Sequence, residues 1–291
     1  MKPDTVNRAV VNVEALYSPG SGAGSQLQEC PVVREDALTL DIEGVGLYTL
    51  LWTPTGAVDI PHGYTFDDGV LGDLDQPEGL ALALGFSLSE GIISSLQDLR
   101  TVAVCQDNPG VIRIQLQQPE QVKIQRRNVV IDSSCGLCGP REIIEDNSLD
   151  LNRVTDSLSL ARAQLPRVMD AMRQGQGIFE RTGGSHAAAV FDAAGQVVAV
   201  AEDLGRHNAL DKAIGLAMLQ HGTITGYGVA LSSRLSLEMV VKAIRSDLEV
   251  VLAVSAPTSL AVEVAQHFGV TLCGFVREDR ATIYSHPGRI T

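Results

Sequence analysis

From Leu38 to Trp52 apolar residues alternate with polar ones on both sides of Glu43-Gly44-Val45-Gly46, and this period of two predicts a β-hairpin. The same signal recurs around Asp107-Asn108-Pro109-Gly110, with Val102 to Val104 and Val111 to Leu116 as strands. Between the hairpins, apolar residues from Leu80 to Leu88 also alternate, but the punctuation is helical. Asp75 and Glu78 have the spacing of a capping box, Pro77 fits a first turn and Gly91 can end a helix, so a helix is expected there. After Asn147 the pattern changes. A helix over about Leu158 to Arg173 leads into a hairpin turning at Asp192-Ala193-Ala194-Gly195. Helices near 207 to 220, 236 to 245 and 257 to 268 then alternate with short, wholly apolar strands at 227 to 231, 250 to 254 and 270 to 275. Such alternation implies crossover connections and a largely parallel, buried sheet.

The chain has 291 residues, 45% of them hydrophobic, and at roughly 150 residues per domain this suggests two domains with cores of their own. Residues 1–28 end in a Gly- and Ser-rich run and are expected to be a flexible arm. Residues 29–145 form a small α+β domain, and residues 146–291 a layered α/β domain. The stretch Asp59 to Glu78 holds carboxylates and no Lys or Arg, and reads as a solvated loop. No run approaches the ~18 apolar residues of a membrane span, and the first residues lack the apolar block of a signal peptide, which makes the cytoplasm the expected compartment. A net charge of -13 disfavours a nucleic-acid partner.

In open α/β sheets ligands bind where strands run into helix starts. Ser232-Ser233-Arg234, Ser255 to Ser259 and Val276 to Asp279 follow three such strands, and their hydroxyls, arginines and free N–H groups suit a phosphate or pyrophosphate. Taken singly, each Ser or Thr reads equally well as a helix cap. Two further segments are dense in chemistry. Gly183 and Gly184 precede His186, and Glu202, Asp203, Arg206, His207, Asn208, Asp211 and Lys212 crowd a strand-to-helix junction. Five cysteines, an odd number, are expected to be reduced in the cytoplasm. Cys135 and Cys138, spaced CxxC among glycines, supply at most half of a structural zinc site, and no second CxxC exists. The HxE of a zinc deaminase is also absent, since Ala188 and Ala209 follow His186 and His207 at that spacing. No structural metal is expected. Two readings stay open on these residues: a thioredoxin-like disulfide and a mobile loop presenting a nucleophile. Cys273, inside an apolar strand, reads as a buried thiol.

Taken in order, Thr53-Pro54, the run from Leu82 to Ile93, Cys135 to Gly139, Thr182 to Ala189, Glu202 to Lys212, Ser232 to Ala243, Ser255 to Ala265 and Thr271 to Arg277 resemble the FdhD family, sulfur-carrier accessory proteins needed for formate dehydrogenase activity. The resemblance implies a three-layer cytidine-deaminase-like α/β domain at the C-terminus, used without deaminase chemistry, behind a smaller N-terminal α+β domain. It implies a sulfurtransferase in which a cysteine desulfurase loads Cys135 with persulfide sulfur, Cys138 is the partner thiol, and the acceptor is a bound substrate, the molybdenum or tungsten bis-molybdopterin guanine dinucleotide, before insertion into the formate dehydrogenase catalytic subunit. Gly274, Phe275, Val276, Arg277, Glu278 and Asp279 would contact its guanine-nucleotide end. Ser232, Arg234 and Thr258 would join Arg277 at the phosphates, and Gly183, His186, Arg206 and His207, with Glu202 and Asp203, would line the pocket. A homodimer is also implied. Ser233 stands where the family has glycine, and the Asp59 to Glu78 stretch is longer than the family's link. A cofactor-handling chaperone that moves no sulfur and a thiol oxidoreductase are the rival readings.

Overall fold

The structure, a computed structural model, describes residues 8–20, 24–55, 63–65, 78–105, 107–108, 110–122, 150–278 and 280–291. Cys135 and Cys138, Asp279, the Asp75 cap and most of the acidic stretch lie outside the described residues. Strands β1 (Val10–Tyr17) and β2 (Gln26–Val33) pair antiparallel as a two-stranded ribbon, with Val10 opposite Val33. The region read as a flexible arm thus contains β1 and the start of β2. Its Gly- and Ser-rich run is the connection between two strands that satisfy each other's backbone, and Ala9, Val10 and Val33 pack on Ile178 at the ribbon's base.

Strands β3 (Asp36–Ile42), β4 (Gly46–Trp52), β5 (Gly63–Thr65), β6 (Leu99–Val104) and β7 (Val111–Leu116) form a five-stranded sheet in the order β4-β3-β7-β6-β5. Both expected hairpins are present, β3 with β4 and β6 with β7, and β3 runs parallel to β7. The alternation sends Leu38, Leu40, Ile42, Leu50, Trp52, Ile112 and Ile114 into one core, and leaves Leu47 and Leu51 exposed on the other face.

Helix α1 (Glu78–Ser89) lies on the buried face of that sheet, and every residue from Leu80 to Ser89 is buried. A helix that is apolar all round must be covered all round. Its second neighbour is α4 (Arg206–His221), and the two cross at glycines. A Cβ on Gly85 would sit 1.7 Å from the Asp211 carbonyl oxygen, and one on Gly215 1.8 Å from that of Ala81. The two backbones touch, so only glycine fits at either position.

Strands β8 (His186–Phe191), β9 (Val197–Asp203), β10 (Tyr227–Leu231), β11 (Leu248–Ala253), β12 (Thr271–Arg277) and β13 (Arg280–Ser285) form a second sheet in the order β13-β12-β11-β10-β8-β9. Only β10, β11 and β12 run parallel; β8, β9 and β13 are antiparallel. The largely parallel sheet expected from the sequence is therefore mixed. The links β8–β9 and β12–β13 are too short for a crossover and enforce hairpins. Helices cover both faces. Leu165, Val168, Met169 and Met172 of α2 (Gln164–Gln174) pack on Ala187, Ala189, Val250 and Leu252, whereas α4, α5 (Leu237–Arg245) and α6 (Ser259–Phe268) pack on Ala188, Val190, Val229 and Val251. Helix α2 begins at Gln164, later than the Leu158 expected. Leu160 instead pairs with Ile290, donating its N–H to the Arg289 carbonyl at 2.8 Å and accepting from the Thr291 N–H at 3.0 Å. A short helix α3 (Gly177–Thr182) precedes β8. The hydrophobic core beneath α1, α4 and both sheets is continuous, so the small N-terminal sheet and the α/β sheet share it. Among the described residues no helix is long and apolar enough to cross a membrane.

Candidate anion-binding site at the sheet edge

The parallel trio β10-β11-β12 delivers three polar loops to one edge of the sheet. Leu235 bridges to Pro257, with Leu235 N–H donating to the Ala256 carbonyl at 3.1 Å and Thr258 N–H to the Leu235 carbonyl at 2.9 Å. Phe275 N–H reaches the Ser255 carbonyl at 3.3 Å. Strand β8 runs the other way, so its first residue, His186, arrives at the same edge. There the Ser232 hydroxyl accepts from Ala187 N–H at 2.9 Å and lies 3.4 Å from His186 Nδ1. Strand β9 reverses again, pairing Asp203 with His186, and places Gly205, Arg206 and His207 beside them at the start of α4. Gly183, which ends α3 with φ +65°, immediately precedes this edge.

The structure thus brings together Ser232, Arg234, Thr258, Gly183, His186, Arg206, His207 and the described part of Gly274 to Glu278, which are far apart in sequence. Their availability differs. Thr258 caps its own helix, accepting from Ala261 N–H at 3.4 Å, so the capping reading holds for its hydroxyl. Val276 is buried, with its side chain in the core beneath α2, and only its backbone faces the edge. Arg234 and Arg277 are exposed. Gly274 is needed by packing, since a Cβ there would lie 2.9 Å from the Ser255 carbonyl oxygen. Next to it Phe275 has φ 53° and Glu278 φ 46°, left-handed conformations that a bulky side chain adopts only under outside constraint, and the ladder between β12 and β13 bulges there.

Two of the three helix starts on this edge lack a side-chain cap. Gly205 before α4 has no side chain to offer, and Ser236 before α5 makes no cap hydrogen bond. The Ser236 hydroxyl and Arg206 Nε are buried with no hydrogen-bond partner among the described residues. Free N–H groups, an unpartnered guanidinium nitrogen and an unpartnered hydroxyl form a donor-rich set, and the carboxylate that meets Arg206 and His207 is Glu238. Its Oε2 lies 2.9 Å from His207 Nε2 and 3.9 Å from Arg206 Nη2. The hydrogen bond from His207 holds the Glu238 acid below its usual range, against partial burial. Burial and then the neighbouring Arg206 and His207 push the His186 pKa down, which leaves a neutral imidazole at neutral pH.

Glu202 and Asp203 are walls of the site and not its lining. Glu202 accepts from Ile178 N–H at 2.8 Å, Phe179 N–H at 2.9 Å and the Ser185 hydroxyl at 2.8 Å, which ties α3 to the sheet. Asp203 accepts from Gly205 N–H at 2.9 Å, Asn208 Nδ2 at 3.1 Å and Thr53 N–H at 2.9 Å, and pairs with Lys212 Nζ at 2.8 Å. The Thr53-Pro54 loop of the small sheet is thereby fastened to the start of α4. Glu238 and Ser236 escape a reading of the sequence because a serine followed by an acid in the next turn is how most helices begin. Cys273 is fully buried and its thiol is pushed up to about 12 by burial, so it is inert.

Residues 77–291 match the family model described as the FdhD/NarQ family. The sulfur carrier protein FdhD of Bordetella bronchiseptica is 37% identical over 292 residues, covering 99% of this chain and 95% of that protein. That of Xanthomonas euvesicatoria is 42% identical over 219 residues, covering 74% of this chain and 77% of its own. A crystal structure from Desulfotalea psychrophila, assigned as a formate dehydrogenase accessory protein, superposes with a TM-score of 0.71 at 19% identity, covers 97% of this chain and 100% of its own, and has the same fold. On its motifs, its match over residues 77–291 and its relatives, the chain belongs to the FdhD/NarQ family.

Proposed function

We propose that this chain is a sulfur carrier: it takes persulfide sulfur from a cysteine desulfurase on Cys135 and passes it to the bis-molybdopterin guanine dinucleotide of molybdenum or tungsten, in the cytoplasm and as a homodimer, before formate dehydrogenase receives that cofactor. The names of the relatives support the sulfur-carrier role and the service to formate dehydrogenase. Helices on both faces of the second sheet support the cytidine-deaminase-like reading of residues 146–291. The observation that carries the cofactor class is the sheet edge itself. Arg206, His207, Arg234 and Arg277, two uncapped helix starts and two unpartnered buried donors suit a pyrophosphate, and that is the charge a dinucleotide brings.

The sulfur chemistry needs no metal. The Cys135 thiolate attacks the outer sulfur of the desulfurase persulfide; the S–S bond breaks, the desulfurase leaves as a thiolate, and Cys135 holds the outer sulfur and its proton. Attack by the Cys138 thiolate on Cys135 Sγ then expels that sulfur as hydrosulfide to the acceptor and leaves a Cys135–Cys138 disulfide, which a cellular dithiol reduces. Holding the acceptor by its phosphates makes the transfer intramolecular.

Intact mass spectrometry after incubation with a cysteine desulfurase and cysteine tests this reading. The wild type and Cys138→Ala should each gain about 32 Da, one sulfur atom, and Cys135→Ala should gain nothing. If the wild type gains nothing while still binding guanosine diphosphate, the chain handles the cofactor as a chaperone and moves no sulfur.

A further inference from the structure

Arg206 and His207 occupy the first turn of a sixteen-residue helix, the end at which the backbone dipole is positive. Cations are disfavoured there, and their side chains gain by swinging away into solvent. Both nonetheless stay about three-quarters covered, and both are held by one group, the Glu238 carboxylate, across 3.9 and 2.9 Å. Glu238 itself stands in the first turn of α5, where a carboxylate is favoured, so its own helix keeps it in place and ionised. One turn on, Lys242 adds a positive charge that also favours the anion.

We propose that Glu238 is the positioning residue of this site: it does not touch the ligand, but fixes the Arg206 guanidinium and the His207 ring at the mouth of α4. This inference rests on the anion-site reading above. It makes a claim of sign. A carboxylate beside a bound anion repels it, so on charge alone Glu238→Gln would tighten binding. If Glu238 acts by holding the two cations, the same variant weakens binding.

The test is the affinity of the full-length protein for guanosine diphosphate, measured by calorimetry for the wild type, Glu238→Gln, Arg206→Ala/His207→Ala and the triple variant. Glu238→Gln, nearly isosteric, should keep the wild-type melting temperature and bind about fivefold to tenfold more weakly, and should add nothing in the background lacking both cations. The NMR resonance of His207 Nε2 should move to that of a ring without a carboxylate partner in Glu238→Gln. Unchanged or tighter binding, or a loss that persists undiminished in the background without Arg206 and His207, overturns the positioning role while leaving the anion site standing. A wild type that does not bind guanosine diphosphate overturns the anion site, and the role of Glu238 with it.

Discussion

Lys212 and Lys242 are two buried lysines that reach α1 from its opposite ends, and their surroundings are unlike. Lys212, with no exposed side-chain surface, lies 2.8 Å from Asp203 and 3.6 Å from Glu78, over the Trp52 ring, and donates to the carbonyls of Thr53 at 2.7 Å and Glu202 at 3.1 Å. Lys242 lies 2.9 Å from Asp211 and 2.8 Å from Glu90, donates to the Ser89 hydroxyl at 2.8 Å, and shares Glu90 with Arg245. Among the described residues two carboxylates pair with one cation at the first end, and two pair with two at the second. Burial, against the pull of Lys212, pushes the Glu78 acid up, and its Oε2 has no hydrogen-bond partner among the described residues. At the other end burial opposes ionisation of Glu90, but Lys242, with Arg245 and His207, holds its acid below the usual range. The two clamps therefore do different work. The Lys212 amine itself binds backbone, fastening the small sheet to the loop that positions Arg206, whereas at the other end the Lys242 amine meets the side chains of Asp211, Glu90 and Ser89, and Arg245 adds a bond to the Ser89 carbonyl at 3.3 Å. Between them the Gly85 and Gly215 contact sets how close the two helices lie.

The strongest way to break this picture is at that contact. Gly215→Ala puts a methyl 1.8 Å from the Ala81 carbonyl oxygen, so α1 must move off both clamps at once. Urea denaturation should show a loss of about 4 kcal/mol or more. A loss below about 1 kcal/mol would mean that the clamps, and not the crossing, hold the helix.

The clamps are then compared by removing each amine. Lys212→Met leaves the buried Asp203 charge and two buried carbonyls without their donor, and should cost about 3–5 kcal/mol. Lys242→Met should cost about 2 kcal/mol, since Glu90 is one-third exposed and Asp211 keeps the Ser89 hydroxyl, which donates to it at 2.6 Å. Burial already raises the Asp211 acid, and Lys242 is the main force pulling it down. Without the amine, folded Asp211 takes up a proton before the unfolded chain does, so the Lys242→Met deficit should shrink as pH falls. Denaturation at pH 8 and pH 5 decides it, and equal costs at both pH values for both lysines would remove the asymmetry.

A third buried pair, away from α1, sharpens the comparison. Burial opposes ionisation of Glu249, yet donors from Ser157, Leu158 and Thr155 hold its pKa at about 2, and Arg289 Nε donates to it at 3.0 Å. Its folded pKa lies below the unfolded value, so its contribution is present above the ordinary carboxylate range and is lost as pH falls toward 2. The part of the stability that Glu249 contributes, about 2–3 kcal/mol, should be lost over that window, so Glu249→Gln should start lower and show a flatter acid limb than the wild type. Parallel limbs would show that this clasp on residues 155–158 contributes nothing.

Much of the architecture was legible in the chain, because period-two runs such as Leu38 to Trp52 and wholly apolar runs such as Val250 to Val254 are set by the burial each strand needs, and glycines mark the ends. The polar loops after β10, β11 and β12 were legible for the same reason, since strand ends in such sheets are where side chains are free to be polar. What the sequence alone could not decide was partnership. Helix α1 was expected from its flanking signals despite strand-like alternation, but its burial on all sides by a second helix and a sheet was not. The Leu158 to Leu160 segment was expected to open a helix and is not helical, because residues 289–291 offered Leu160 a backbone partner. Glu202 and Asp203 looked like site residues and are braces, whereas Glu238 looked like an ordinary helix start and lies across from Arg206 and His207. Local pattern determines which surfaces must be buried; which distant residue meets a given charge depends on the strand order β13-β12-β11-β10-β8-β9, and that is a property of the folded chain alone.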